Sequence, residues 1–496
     1  MIRLLWYYSC LWTVASGAKI LLATMPQGRS HAGSFMPLMH RLVQDGHNVT
    51  VFFEIYSPEL PLGGGVKENL VLLKGIDYSI TNDPMFADIV WNGALGAMSG
   101  IVPFYFSSKS CAHMIREQPD DFWHLANQTW DLVLTDSIFT TCGYALALLN
   151  KKPFVLMHSS DVEPVHGYFK AYGRNYALVT PYFLDYENAQ FHIERFMDRV
   201  EGARSFVEMF LAIAYPSSFL INNAIGHLVE FSMEEYAKQT VFSFYDMPDT
   251  MTWPLPGAND LVSYGAHCKK GKVLPDEYAK FINDPSSKGT ILVAFGTICQ
   301  WEFAPKRIID AFVTTLNNLA DYRIIWAYKG PKLPLNSHVM VNSWIPQQEI
   351  LEHPKTKLFI SHGGLKSLKE AICSETPVIY MPMFAEQLRN SWIARERNFA
   401  AYVNKKNVTA ESLERTVRSV LSDEKYQTSI SRMRRFFDDR PIHSLDEGSF
   451  WFRRLLKYGG KMPDMFYRKG VGNFFVFHYH LDLIAVAFVF VYIVSR

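Results

Sequence analysis

The sequence predicts an α/β protein made of two facing Rossmann-like domains, each with a parallel sheet. Apolar strands alternate with amphipathic helices in two separate series, one beginning near residue 19 and one near residue 289. The chain length of 496 residues suits two or three domains. Residues 269–288 are rich in Lys, Gly, Pro and Ser, which is typical of a linker between domains.

In the first series, an apolar strand is followed by a polar loop, a helix and a second strand, which is the start of a βαβ unit. Residues 131–157 repeat this pattern, so we assign residues 19–268 to the first domain. The elements are strands 19–23, 49–53, 131–135 and 153–157, a helix from Phe35 to Gly46, and a helix ending at Asn150.

The second series contains more strands and supports a second domain over residues 289–473. A proline opens its first helix, as is common at helix starts. The predicted elements are strands 290–296, 322–328, 338–344, 357–361 and 377–382, and helices 305–319, 365–373 and 385–397. In such sheets, ligands bind at the carboxyl ends of the strands.

The composition limits the function classes. Lys+Arg is 49 and Asp+Glu is 48, a net charge of +1 that gives no reason to expect a nucleic-acid partner. Hydrophobic residues at 49% exclude a disordered chain. Aromatic residues between 168 and 191 favour either core packing or an apolar acceptor pocket. They are Tyr168, Phe169, Tyr172, Tyr176, Tyr182, Phe183 and Phe191.

Both chain ends are apolar. Residues 1–18 have the charge, apolar run and small residues of a secretory signal peptide, the alternative being a buried first strand. Residues 474–494 are long enough for a membrane anchor but contain Asp482, so an interfacial or a core helix stays open. In a secreted chain, Asn48, Asn127 and Asn407 are glycosylation sequons, although Asn48 lies in a predicted strand.

Several known motifs are absent. The six cysteines contain no CxxC pair, and their spacing does not indicate a disulfide framework. No GxGxxG follows a strand, which counts against a nicotinamide oxidoreductase, and Ser34 replaces the lysine that a phosphate-binding loop needs after Gly28 and Gly33. HExxH and GxSxG are also missing.

Residues 344–387 contain side chains suited to a nucleotide sugar. Trp344 can stack on a base, Gln347 can bind a base edge or ribose, and Glu370 can accept bonds from ribose hydroxyls. The segment SHGG, residues 361–364, ends a strand and opens a helix whose N-terminus suits a pyrophosphate. His362 and Lys366 add donors, and Glu386 and Gln387 suit sugar hydroxyls.

This stretch resembles the donor-binding signature of the UDP-glycosyltransferases, which include the UDP-glucuronosyltransferases. The resemblance extends from Lys19 to the end of the chain and implies the GT-B fold, a membrane anchor and an active site in the lumen of the endoplasmic reticulum. It implies that Trp344, Gln347 and Glu370 hold uridine. Thr297, His362, Gly364 and Ser367 would contact the diphosphate, and Glu386 and Gln387 the transferred sugar.

Three positions depart from the family pattern. Lys366 stands where a small or amide residue is usual, and would either strengthen phosphate binding or block the usual contact. Glu386 replaces the usual Asp, and Ala327 replaces a usual Lys or Arg. The chain ends at Ser495-Arg496, where relatives usually carry a basic tail.

A catalytic pair is predicted in the first domain. His31, in the loop after the first strand, is placed to act as a general base, and Asp136, after strand 131–135, is placed to orient it. The resemblance implies inverting transfer of a hexose or hexuronic acid to a hydroxyl of a small lipophilic acceptor. UDP-sugar would serve as co-substrate, with no metal or other cofactor.

The alternative function is a catalytically weak UDP-sugar binder or partner subunit. The sequence leaves open glucose against glucuronic acid as the transferred sugar, the identity of the acceptor, and whether the chain forms a homo-oligomer.

Overall fold

The computed structural model describes residues 17–57, 62–76, 83–93, 100–174, 190–472, 475–478 and 480–496. Most of the predicted signal peptide therefore lies outside the described residues. So do Cys10, Tyr176, Tyr182 and Phe183.

The first sheet has seven parallel strands in the order β3-β2-β1-β4-β5-β6-β7. Its central strands are buried on both faces, which explains their continuous apolar runs. The strands are β1 (Lys19–Ala23), β2 (Asn48–Ile55), β3 (Lys67–Leu72), β4 (Leu132–Asp136), β5 (Phe154–His158), β6 (Phe242–Tyr245) and β7 (Leu261–Ser263).

Helices cover both faces of this sheet. They are α1 (Arg29–Gln44), α2 (Pro84–Asn92), α3 (Ile101–Glu117), α4 (Pro119–Ala126), α5 (Thr141–Leu149), α6 (Pro164–Phe169), α7 (Phe196–Ala214), α8 (Pro216–Ile225) and α9 (Met233–Gln239). The prediction that His31 lies in a loop and that the helix begins at Phe35 is wrong. The helix begins at Arg29, so His31 lies in its first turn. The apolar pattern begins only at Phe35 because the first turn faces the cleft.

The second sheet has six parallel strands in the order β10-β9-β8-β11-β12-β13. They are β8 (Thr290–Ala294), β9 (Arg323–Ala327), β10 (Val339–Asn342), β11 (Thr356–Ser361), β12 (Val378–Tyr380) and β13 (Ala400–Tyr402). The helices of this half are α10 (Asp276–Ile282), α11 (Lys306–Asn318), α12 (Gln347–Leu351), α13 (Leu365–Cys373), α14 (Gln387–Glu396), α15 (Ala410–Ser422) and α16 (Glu424–Phe437). Two parallel-sheet α/β domains confirm the predicted fold class.

The next helix, α17 (Ser444–Lys457), packs on the first domain, although the sequence analysis placed residues 289–473 in the second. The Phe452 ring stacks on Phe244 of β6 with centroids 4.4 Å apart. Asp446 forms an ion pair with Arg41 of α1. The chain therefore crosses between the two domains a second time.

Buried ion pairs join the domains. Asp161, in the loop after β5, accepts a bond of 2.8 Å from Arg389 of α14, and both side chains are buried. Lys369 of α13 donates to Asp246 over 2.6 Å. Because each pair is buried, a substitution that removes one partner would leave the other charge unpaired away from water, which is strongly destabilising.

The prediction that the cysteines form no disulfide framework is wrong. Cys111 of α3 is bonded to Cys142 of α5, and Cys268 is bonded to Cys373 at the end of α13. Among the described cysteines, Cys299 is free and buried. The partners are 31 and 105 residues apart, so tertiary packing rather than sequence spacing brings them together.

The predicted anchor contains two helices, α18 (Phe475–His478) and α19 (Leu481–Val494). Helix α19 has 14 residues, which are apolar and exposed except for the half-buried Asp482, and its length is about 21 Å against the roughly 30 Å of a bilayer core. By length and composition, residues Phe196–Ile225 could cross a membrane, and part of this stretch packs in the core of the first domain.

The described members of the aromatic region support the core-packing alternative. Phe169, Tyr172 and Phe191 are buried, and the rings of Tyr168 and Phe169 pack on Phe210. Phe191 also lies 6.1 Å from the Trp392 ring of the second domain.

Candidate functional site

The candidate site lies where the strand order of each sheet reverses. In the first sheet, β1 pairs with β2 on one side and β4 on the other. In the second, β8 lies between β9 and β11. The crevice beyond the carboxyl ends at such a point is the usual ligand site of an open parallel sheet. In the first domain, His31 follows β1 and Asp136 is the last residue of β4. In the second domain, Thr297 follows β8 and His362 follows β11.

The structure brings His31 and Asp136 together. Nδ1 of His31 lies 2.7 Å from Oδ2 of Asp136, which is fully buried at the end of β4. Thr24 and the backbone amide of Met25 also donate to this oxygen, each over 3.3 Å. Since a carboxylate only accepts, the imidazole proton belongs on Nδ1, and Nε2 keeps its lone pair.

Glu386 adds negative charge beside this pair. Burial by itself would lower the pKa of His31. The charge and hydrogen bond of Asp136 outweigh it, with help from Glu386 and Glu163, so the pKa lies above its ordinary value. Burial raises the pKa of Glu386, opposed by a bond from the Leu365 amide and by the charges of His31 and Arg389.

Two of the predicted uridine-side residues, Gln347 and Glu370, form a cluster with Ser367, and the third, Trp344, lies three residues before Gln347. Trp344 follows β10 and is 62% exposed, so a broad apolar face is open to a ligand. Gln347, the first residue of α12, donates from Nε2 to Glu370, and the same nitrogen is 3.5 Å from the Ser367 hydroxyl. Burial raises the pKa of Glu370, against the nearby charge of Lys366.

The turn before α13 is built for close approach. Gly363 has φ +88°, which favours glycine, and a Cβ on Gly364 would lie only 2.7 Å from Nε2 of His362. Burial lowers the pKa of His362 to about 4, so the ring is neutral near pH 7, and its buried Nδ1 has no hydrogen-bond partner among the described residues. Thr297 is exposed in the turn after β8.

Lys366 reaches across the cleft to the first domain. Its amine lies where a Cβ on Gly33 of α1 would stand, so only glycine fits at residue 33 without moving the lysine. Burial lowers the pKa of Lys366, while the charges of Glu370 and Asp246 raise it. The lysine therefore places a cation between α1 and the N-terminus of α13.

The positions of Gln387 and Ala327 limit what each residue can contact. The Gln387 side chain is buried, and its Oε1 accepts bonds from the amides of Met383 and Phe384 at 2.9 and 3.2 Å. This oxygen shapes the loop before α14, and only the amide nitrogen is left for a sugar. Ala327 ends β9 and is partly buried against the core of the second domain.

Sequence reasoning missed two residues of the cleft. Arg29 opens α1, and its guanidinium carbon lies 6.0 Å from the centroid of the Trp344 ring. Phe139, in the loop after β4, lies 6.3 Å from the His31 ring and 4.8 Å from the Phe104 ring. Its φ of +68° is unusual for a bulky residue and is common at functional loops. The sequence offered one indication of Arg29, namely that it is a basic residue only two positions before the predicted base His31.

The chain resembles known glycosyltransferases over most of its length. A family model described as "UDP-glucoronosyl and UDP-glucosyl transferase" matches residues 18–495. The chain is 26% identical to UDP-glycosyltransferase UGT5 of Dactylopius coccus over 466 residues, which is 90% of this chain and 85% of that protein. It is 34% identical to human UDP-glucuronosyltransferase 2A3 over 197 residues, covering 40% and 37% of the two chains.

Solved structures support the fold. The glycosyltransferase of kitacinnamycin superposes with a TM-score of 0.58 at 16% identity, covering 89% of this chain and 99% of that one. At 16% identity, this similarity supports the two-domain fold alone.

Proposed function

Since the chain belongs to the UDP-glucuronosyl and UDP-glucosyl transferase family, it is a UDP-glycosyltransferase, and we propose that it transfers a hexose or hexuronic acid, with inversion, to a hydroxyl of a small lipophilic acceptor. The observation that carries the proposal is the 2.7 Å bond between His31 and Asp136 at the edge of the cleft, opposite the N-terminus of α13.

In this mechanism His31 is the general base. Its Nε2 takes the proton of the acceptor hydroxyl while the oxygen attacks the anomeric carbon and the bond to UDP breaks on the opposite side. Asp136 holds the imidazole in the required tautomer and stabilises the imidazolium that forms. The single displacement inverts the configuration at the anomeric carbon.

The donor would bind along the second domain. We place uracil on the exposed face of Trp344 and ribose beside Gln347 and Glu370. Because Glu386 already accepts the Leu365 amide, the amides of Lys366 and Ser367 are the next donors for the diphosphate. His362, Thr297, Gly364 and the Lys366 amine complete this subsite, with Glu386 and the Gln387 amide at the sugar.

This arrangement supplies positive charge to the leaving diphosphate from the protein itself. We therefore propose that transfer requires no metal or organic cofactor. Saturating EDTA should leave the initial rate unchanged, and a loss restored by a divalent cation would refute this part of the proposal.

The acceptor would lie on the first-domain side. Phe139 lies beside His31, packs edge to face on the buried Phe104 ring, and offers apolar surface where the attacking hydroxyl must lie. This favours acceptors with an aromatic or aliphatic body and one reactive hydroxyl.

The test is UDP release from membranes containing the full chain, with UDP-glucose and UDP-glucuronic acid each offered against a panel of phenols. We expect release with one donor, and a fall of at least about 100-fold in His31→Ala, the size of effect typical of a general base. The variant should bind UDP as tightly as the wild type.

Wild-type turnover in His31→Ala would refute the assignment. UDP binding without release in the wild type, with any acceptor or donor, would instead support the weakly catalytic binder.

We also propose that the chain resides in the membrane of the endoplasmic reticulum with its two domains in the lumen. Two disulfides suit an oxidising compartment, and α19 offers an exposed apolar helix. Asn407 is exposed in its sequon. Endoglycosidase treatment should raise the electrophoretic mobility of the wild type and do so less for Asn407→Gln. Absence of glycosylation would contradict the lumenal location, and extraction of the protein from membranes by alkali would contradict membrane anchoring.

A further inference from the structure

Helix α1 presents two faces to the cleft. Arg29 and Gly33 are one turn apart, so they share a face, whereas His31 is about 200° away from each around the helix. The Arg29 face meets the second domain at Trp344 and Lys366, and the His31 face meets Asp136. The helix that carries the proposed base therefore also lies against the proposed donor site.

The position of Arg29 over Trp344 suits a stacked base. Its guanidinium carbon is 6.0 Å from the ring centroid. A planar base between two stacked groups needs about 7–8 Å, twice the carbon contact distance of about 3.5–4 Å. The gap must then widen by about 1–2 Å, which the long arginine side chain can supply by rotation.

The chemistry of the two groups agrees with this arrangement. A guanidinium is planar and stacks on aromatic faces, which an ammonium does not do in the same way. Trp344 is exposed over most of its surface, and Arg29 is partly buried beside it. Stacking between an aromatic ring and an arginine plane is a common way to hold a nucleobase.

We propose that Arg29 binds the donor from the first domain by stacking on the face of uracil opposite Trp344. This inference rests on the proposed placement of uracil on Trp344. Donor binding would then draw α1, and with it His31 two residues later, towards the second domain. The first domain would contribute to base binding as well as to acceptor binding.

The test separates stacking from phosphate binding. Dissociation constants for UDP, and for uridine by competition with UDP, are measured by calorimetry on the full chain in detergent for Arg29→Ala, Arg29→Lys and Arg29→Tyr. Lysine keeps the charge but not the plane, and tyrosine keeps a plane but not the charge. We expect the Ala and Lys variants to weaken UDP and uridine by the same factor, about threefold to thirtyfold. The Tyr variant should stay within about twofold of the wild type.

Two results would overturn the inference. If Lys restores binding, Tyr does not, and only UDP is affected, Arg29 is a phosphate ligand. If none of the three variants changes either constant, Arg29 does not touch the nucleotide. Arg116→Ala, an exposed arginine of α3 paired with Glu117, is the matched control for loss of a surface charge.

Trp344→Ala distinguishes failure of this inference from failure of the proposed donor site. If it weakens both ligands while the Arg29 variants do not, only the inference fails. If it leaves both unchanged, the placement of uracil itself is wrong. Thermal unfolding of each variant, expected within a few degrees of the wild type, confirms that the folded chain is being compared.

Discussion

At the scale of single residues, the cleft depends on charges held apart from water. Asp136 is fully buried and hydrogen-bonded to His31, and Glu386 and Glu163 add further negative charge near the imidazole. A buried imidazole alone would have a low pKa and would be a weak base. The carboxylates reverse that effect, which suits a group that must accept a proton during turnover.

This arrangement predicts a pH dependence. A base works only when unprotonated, and the pKa of His31 is raised, so kcat/KM should fall as the pH drops through a value above 6.5. Asp136→Asn removes the largest opposing charge, so the acid limb should move to lower pH while the plateau falls by at least about 100-fold. A pH–rate profile of both proteins measures this. An unmoved acid limb would show that another group controls it.

A second residue-scale prediction concerns Lys366. Lys366→Asn restores the residue type usual in the family and removes a cation beside the N-terminus of α13. A bond to a charged group contributes about 1.5–3 kcal/mol, so the dissociation constant of UDP should rise about tenfold to 100-fold, with that of uridine unchanged. Lys357→Asn, a lysine on the β11 strand, is the control. Tighter UDP binding would mean that Lys366 blocks the subsite.

At the scale of elements, two contacts hold α13. Lys369 in its middle pairs with Asp246, and Cys373 at its end is bonded to Cys268. Both partners precede residue 269 in the chain. The helix whose N-terminus we propose as the diphosphate site is thus fixed relative to the first domain.

Loss of the Cys268–Cys373 bond should destabilise the chain. Because it closes a loop of about 105 residues, Cys373→Ser should lower the free energy of unfolding by about 2–5 kcal/mol. The melting temperature of Cys373→Ser, Cys268→Ser and the double variant measures this. All three should fall equally, since either change breaks the same bond, and an additive fall would show that the two cysteines act separately.

At the scale of the whole molecule, the two domains form one unit. The chain leaves the first domain at the linker and returns to it with α17, and the Asp161–Arg389 pair lies buried between the two halves. Arg389 is two residues beyond Gln387, so this pair also positions the proposed sugar-binding end of α14.

Substitution of Phe452 tests whether α17 packs on the first domain. Its ring is fully buried against Phe244, so Phe452→Ala should cost about 3–5 kcal/mol of unfolding free energy. Phe450 lies on the same helix and is half exposed, so Phe450→Ala should cost less than about 1 kcal/mol. Denaturant unfolding of both variants measures the difference. Equal costs would show that α17 does not pack as described.

The strands with continuous apolar runs were predictable because a parallel strand buried on both faces needs apolar side chains at every position. The missed strands are β3, β6, β7 and β13. Of these, β3, β7 and β13 lie at sheet edges, and β6, β7 and β13 have only three or four residues, so their apolar signal is weak. The start of α1 was missed because its first residues, Arg29, Ser30 and His31, are polar and carry no apolar helical pattern.

The sequence alone determined the two α/β series and the SHGG turn, because these depend on local periodicity and on residues close together in the chain. Within the predicted linker 269–288, the structure forms α10 (Asp276–Ile282), whose Tyr278 and Ile282 pack in the core of the second domain. It also pointed to His31 and Asp136 at strand ends, where parallel sheets place their ligands. Tertiary structure alone decided which side chains meet across the cleft. The contacts of Arg29 with Trp344, Lys366 with Gly33 and Cys268 with Cys373 join residues about 100 or more positions apart. Such contacts depend on how the two domains pack, and no local pattern records that packing.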